Sequence, residues 1–192
     1  MKKIFANFDL EGIFVYQAFK PEIAEEALRL GTFGKGFNLE RMTWIKPSFG
    51  WMLYRSGYAT KHRQERILKI KLSHAGFQAI LFQGVPTVFD RNLFATELDW
   101  QKALNQGDVR YQWDPDRNLR LHKLERRAIQ LGIRGKTVQN YVDKWIIGIE
   151  DVTALAQQIH NAIAHKMSEL PLVPEEQVYE VSPEIAKILG LI

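Results

Sequence analysis

The chain has 192 residues, no cysteine, 25% charged residues, and 26 Lys+Arg against 22 Asp+Glu, a net charge of +4. This length suits one domain able to bury a core without staples, and the missing cysteine excludes disulfide scaffolds and thiolate-ligated zinc or iron–sulfur centres. No apolar run approaches the roughly 18 residues of a membrane span, and Asp9 interrupts the opening before any signal-like stretch, so a cytoplasmic protein with no membrane partner is expected.

Residues 13–19, Ile-Phe-Val-Tyr-Gln-Ala-Phe, are β-branched and aromatic and predict a strand. Pro21, favoured in a first helical turn, opens a helix carrying Ile23, Ala24, Ala27, Leu28 and Leu30, with Gly31 as its stop. Gly34 and Gly36 follow in a connection whose spacing fits neither a Walker loop nor a Rossmann fingerprint. A strand over 42–46 runs into Pro47, and Ser48 caps a helix that reaches Arg55 or Ser56 and ends at Gly57. Residues 66–72 alternate as a half-buried strand does. Ser73 caps the next helix, with Phe77, Ile80 and Leu81 inward and Gly84 as its stop; 85–108 gives mixed signals.

A strand over 109–113 is expected to break at Asp114-Pro115-Asp116-Arg117, which is turn chemistry. Residues 128–133 read as a strand and Gly135 onward as a helix. Asp151 caps a helix with Val152, Leu155, Ala156, Ile159, Ile163 and Met167 on one stripe. After Pro171 and Pro174, Ser182 and Pro183 start a last short helix. The pattern predicts an α+β fold: a core domain over 1–167 with a mixed or antiparallel, possibly split, sheet, and 168–192 as an acidic, solvent-facing linker and short helix on the same domain.

The positive charge is unevenly placed. Segment 41–66 has six basic side chains against Glu65 alone, and segment 110–136 has eight against three, while the rest of the chain is net acidic. The first segment also holds Trp44, Phe49, Trp51, Tyr54 and Tyr58. Cations interleaved with aromatics suit a polyanion that carries flat rings, such as a nucleotide or single-stranded nucleic acid. The two segments are therefore predicted to be two walls of one anionic-ligand cleft.

Other chemistries are poorly supplied. His160 and His165 are five apart and diverge on a helix, no His-Glu-x-x-His or EF-hand loop occurs, and no metal is predicted. No serine sits in a Gly-x-Ser-x-Gly elbow. Gln17 lies among apolar residues, and Gln130 lies between Ile129 and Leu131; a glutamine so placed either links strands internally or lines a cleft.

Arg41-Met-Thr-Trp-Ile-Lys-Pro-Ser-Phe, Trp51-Met-Leu-Tyr-Arg-Ser-Gly57, Val15-Tyr-Gln-Ala-Phe, Gln64-Glu-Arg, Gln112-Trp-Asp-Pro and Ile129-Gln-Leu-Gly resemble the motifs of the family domain of unknown function 4291, in its order, across roughly 4–155. A departure is Phe5, where that family carries an arginine, so an anchor in the first strand is expected to be missing. More loosely, a Tyr-bearing strand followed by a helix ending in Leu-x-x-Gly resembles the opening of ADP-ribosyltransferase-like folds, which bind NAD in a split sheet.

That second resemblance implies a nucleotide-binding transferase using NAD on protein or nucleic acid. It gives Tyr16 and Gln17 to the adenosine or nicotinamide side and Trp44, Tyr54 and Tyr58 to ring stacking. Arg41, Lys46 and Arg55 face the pyrophosphate, and Ser48, Ser56, Arg66 and Arg117 complete the cofactor-binding set. Glu65, Asp114 and Gln130 are the catalytic candidates, near the ribose, where a carboxylate stabilises an oxocarbenium-like species. No Glu-x-Glu or Gln-x-Glu signature selects among them. The alternative is an RNA-binding or RNA-processing domain without NAD chemistry, motivated by the same cations and aromatics.

Overall fold

A computed structural model describes residues 2–191. In chain order it runs β1 (Phe5–Ala6), β2 (Gly12–Phe19), α1 (Pro21–Leu30), β3 (Thr43–Ile45), α2 (Phe49–Ser56), β4 (Arg66–Ser73), α3 (His74–Leu81), β5 (Gly84–Pro86), α4 (Glu97–Gln106) and β6 (Val109–Arg117). It continues with β7 (Lys123–Ile133), α5 (Gly135–Asn140), a π-helical turn (Tyr141–Trp145), β8 (Ile146–Asp151), α6 (Thr153–Ala164), β9 (Gln177–Val178) and α7 (Pro183–Ile188). The fold is α+β.

The strands form two main sheets. One is antiparallel in the order β2-β4-β8; the other is β3-β7-β6-β5, in which β5 and β6 pair in parallel and the remaining pairs are antiparallel. The sheets meet at a single backbone bridge, where the Tyr16 N–H donates to the Lys46 carbonyl at 2.7 Å. Past that bridge β2 and β3 part, leaving a split between the sheets.

Two apolar clusters sit on opposite faces of β2 and β4. Ile13, Val15, Leu68, Ile70 and Leu72 pack with Phe77, Ile80 and Leu81 of α3 and with Leu131 and Ile133 of β7. Tyr16 and Ile67 point the other way, into a cluster with Phe49, Met52 and Leu53 of α2 and Ala156 and Ile159 of α6. Because side chains alternate along a strand, both faces of β4 are covered, so it is buried on both sides and not half-buried as its Arg/Lys spacing implies.

The caps predicted for α1, α2, α3 and α7 are in place: Gly31 and Gly57 close α1 and α2 in the left-handed region at φ 72 and 58, and Ser48, Ser73 and Ser182 accept from backbone N–H groups at the starts of α2, α3 and α7. Other expectations are corrected. Gly84 begins β5 rather than stopping α3, whose last residue is Leu81. Asp114-Pro115-Asp116-Arg117 is not a turn. β6 continues through it with a register irregularity at Pro115–Arg117, and the reversal falls at Asn118–His122, where Leu121 has φ 65.

The irregularity accommodates the proline, which has no N–H for a regular ladder. β8 is also new, taking up residues between the helix expected from Gly135 and the cap expected at Asp151. α6 starts at Thr153, whose N–H donates to Asp151 at 2.8 Å although Val152 is the N-cap. The C-terminal segment is more than a solvent-facing extension: β9 pairs with β1, and Ile185 and Leu189 are buried in the first cluster. Among the described residues no helix is long and apolar enough to cross a membrane.

Candidate functional site

A cleft of about 750 Å³ opens where the sheets split. Gln17 of β2, Trp44 of β3, Lys46, Arg55 of α2, Gln112 of β6, Gln130 of β7 and Arg41 all line it, so six sequence-predicted site residues converge there. His62, Arg63 and Gln64, from the loop after α2, also line it.

Gln17 stabilises the split. Its amide nitrogen donates to Thr43 Oγ1 at 2.6 Å and to the Trp44 carbonyl at 3.2 Å, and its oxygen accepts from the Tyr141 hydroxyl at 2.7 Å. With all three bonds made inside the protein, Gln17 is a linker between β2 and β3 that shows an edge to the cleft. Trp44 lies across Gly132, its register partner on β7. A Cβ at Gly132 would stand 2.9 Å from the Trp44 ring and 2.8 Å from Met42 Sδ, so only glycine leaves room for the indole.

Lys46 is 6% exposed, and its ammonium donates to the Trp44 carbonyl at 3.1 Å. Burial pulls its pKa down to about 7; repulsion from Arg55 adds to this and attraction from Asp114 opposes it. A titrating amine in a cleft is a hallmark of a functional site. Neither Arg41 nor Arg55 joins a salt bridge among the described residues.

Gln112 and Gln130 face each other across β6 and β7, and Asp114 lies two residues along from Gln112 on the same face. Both amide nitrogens donate to one oxygen of Asp114, at 2.9 Å from Gln112 and 2.6 Å from Gln130. Asp114 therefore stands behind the cleft wall and touches it through two amides.

The remaining predicted residues lie elsewhere. Tyr16 is 1% exposed and packs on Phe49 with ring centroids 5.0 Å apart; burial pushes its hydroxyl pKa up. Ser48 accepts from the Trp51 N–H and donates to Asp116 at 2.6 Å, while Ser56 donates to the Met52 carbonyl at 2.9 Å. Tyr54 lies under the Arg117 guanidinium at 4.0 Å, and Tyr58 stacks on His160 at 4.8 Å. Arg66 pairs with Asp151 and with Glu25.

Glu65 accepts from the Arg63 N–H at 2.8 Å, a bond that holds its carboxyl below the usual range, and so it closes the loop rather than facing the cleft. That loop is sharply bent: Gly57, Tyr58, Ala59 and Arg63 all have positive φ. The sequence offers a signal for this only at Gly57, and the contribution of His62, Arg63 and Gln64 to the cleft was missed for that reason.

The expected two-walled cationic cleft is corrected. Apart from Lys20, the cations of the cleft come from segment 41–66, whereas segment 110–136 supplies the uncharged Gln112 and Gln130. Its Arg117 and Arg126 line a second cavity of about 730 Å³. There Arg126 pairs with Asp116 at 2.7 Å and Glu176 at 2.8 Å, and its guanidinium lies 4.3 Å from the ring of Phe5, so position 5 supplies an aromatic platform in place of an arginine. Glu176 also accepts from the Phe49 N–H at 2.7 Å, and burial pushes its pKa up to about 7. Arg126 is held by these two carboxylates, while the Arg117 guanidinium lies over Tyr54 and donates to the Leu121 carbonyl at 3.2 Å, so neither reaches the open cleft.

Among the described residues no three His, Asp or Glu side chains group as metal ligands would. A family model described as a domain of unknown function (DUF4291) matches residues 3–179 of the chain. No curated protein matches it.

Proposed function

We propose, from the premise that the chain belongs to the DUF4291 family, that the cleft at the sheet split binds a nucleotide and that the protein is a transferase of ADP-ribosyltransferase type using NAD. The observation that carries this reading is the convergence of Arg41, Lys46 and Arg55 with Trp44 in one cleft of about 750 Å³, a size typical of small-molecule sites. Arginine forks and a buried amine suit a pyrophosphate, and an indole suits a stacked ring.

The chemistry would proceed by cleavage of the bond between the ribose carbon and the nicotinamide nitrogen. The bonding electrons leave with neutral nicotinamide, and an oxocarbenium-like sugar remains. A lone pair of the acceptor, on protein or nucleic acid, then forms the new bond to that carbon and the acceptor gives up its proton. Asp114 bonds two residues of this cleft wall, Gln112 and Gln130, and its negative charge would favour the cationic sugar.

Titration with NAD, followed by tryptophan fluorescence, should quench the cleft indole. Incubation with NAD labelled in the ADP-ribose part, together with mixed RNA and protein acceptors, should transfer label. Absence of both signals overturns the reading. The placement of His62 and Arg63 at the same cleft favours a second reading, a site for single-stranded RNA without NAD chemistry. It predicts salt-sensitive RNA affinity, with a log–log slope near about −4 if some six phosphates are contacted.

A further inference from the structure

Gln17, Gln112 and Gln130 all line the cleft, yet their amides are used differently. Gln17 has both ends occupied by protein groups. Gln112 and Gln130 each commit the nitrogen to Asp114 Oδ2, and among the described residues neither amide oxygen accepts a bond from the protein or is buried without a partner. The amide orientation is chemically determined, because an ionised carboxylate only accepts and so the NH₂ ends must turn to it. The two oxygens are left turned away from Asp114.

Since both nitrogens bond one oxygen atom, they lie no farther apart than those two bonds laid end to end. The glutamines are also direct register partners. The cleft wall therefore presents an amide oxygen from each of two paired residues, two acceptors to which no protein donor is bonded among the described residues. A ligand group that satisfies both must offer two adjacent donors. Lys46 and Arg55 line the same cleft as Gln112 and Gln130, which puts the cations proposed for phosphate in one site with this acceptor pair. In a nucleotide the group bonded directly to phosphate is the sugar.

We propose that Gln112 and Gln130 read the vicinal 2′,3′-diol of a ribose, and that Asp114 is the positioning residue that fixes their amide oxygens for it, so that the cleft selects ribonucleotides over 2′-deoxyribonucleotides. The inference rests on the reading of the cleft as a nucleotide site but does not require NAD chemistry. Both diol hydroxyls donate, one to each amide, and loss of the 2′-hydroxyl leaves an acceptor unpaired.

The test compares ADP with 2′-deoxy-ADP by fluorescence titration of the full chain. Wild type should prefer ADP by about tenfold or more, as one hydrogen bond to a desolvated acceptor supplies. Asp114→Asn, whose amide can donate to the glutamine oxygens and turn them inward, should bring the ratio close to unity while keeping measurable affinity for both ligands. A merely structural role for Asp114 would lower both affinities and keep the ratio. Gln112→Leu should lower the ratio with Asp114 untouched, which serves if the Asp114 variant does not fold.

Equal wild-type affinity for the two nucleotides overturns the inference, as does binding of neither or a ratio unchanged by Gln112→Leu. Selection for ADP with no label transfer from NAD would refute the transferase and leave the diol site standing.

Discussion

Lys46 shows how one residue combines predictable chemistry with unpredictable burial. Trp44-Ile45-Lys46-Pro47 reads as a strand end with a cation, and the cation does face the cleft. Its near-complete burial depends on β2 arriving at the Tyr16 bridge and on Arg55 of α2, both remote in sequence or set by helix direction. The consequence is a proton equilibrium near neutrality. A pyrophosphate ligand favours the charged amine, so affinity for NAD should fall as pH rises from roughly 6 to 8, and Lys46→Met should bind more weakly and flatten the profile. Titration at several pH values checks this.

Stability moves in the opposite sense. Between about 7 and the ordinary 10.5 the unfolded chain holds the Lys46 proton more tightly than the folded one, so this residue makes stability rise with pH across that window, and Lys46→Met should remove the rise in denaturant titrations. Glu65 is the converse case. The looser resemblance gave it to the ribose, and in the fold its carboxylate accepts from the Arg63 N–H inside its own loop.

At the level of elements, capping chemistry was the most legible part. Ser48, Ser73, Gly31 and Gly57 mark their helix ends because a cap is a local contact that sequence neighbours decide. The β6–β7 hairpin was misread because Asp114-Pro115-Asp116-Arg117 has local turn propensity, which tertiary pairing overrides: Asp116 is fully buried with Ser48 and Arg126, and the partly buried Asp114 bonds the two glutamines. The partners that decide this, Ala128 and Gln130 for Asp114 and Ser48 and Arg126 for Asp116, lie ten or more residues away and leave no local signal.

Gly132 exposes the same dependence, since its need for glycine comes from Trp44 and Met42. Gly132→Ala should displace the indole, shift tryptophan emission and weaken nucleotide binding severalfold, with destabilisation of about 1–3 kcal/mol from overpacking. Fluorescence titration and chemical denaturation together measure both effects. Unchanged emission and affinity would show that the Trp44 position does not matter to the cleft.

For the molecule as a whole, the α+β class was within reach of the alternating strands and helices. Which cations would share a cleft was not, because two basic segments of equal net charge separate in space once one of them finds buried carboxylates. The C-terminal residues are integral to the core. Tyr179, Ile185 and Leu189 are 6%, 1% and 0% exposed, and Glu176 reaches the first N–H of α2.

Removing 168–192 deletes several buried side chains, each worth about 2–5 kcal/mol, against a total stability of about 5–15 kcal/mol. The truncated chain should lose its cooperative thermal transition, as followed by near-ultraviolet circular dichroism. A truncated chain that melts like the full one would make the segment an appendage.

The β1–β9 ribbon has a topological corollary. Phe5 is paired with Val178, and Lys2 Nζ lies 3.8 Å from the place a Cβ on Gly190 would occupy. Among the described residues the backbone therefore traces a nearly closed circuit, with residues 2–6 and 177–190 on one side of the molecule. Joining them by a short linker and opening the circuit in the exposed stretch around Arg91 would preserve every strand pairing described above, since the order of strands in space does not depend on where along the circuit translation begins.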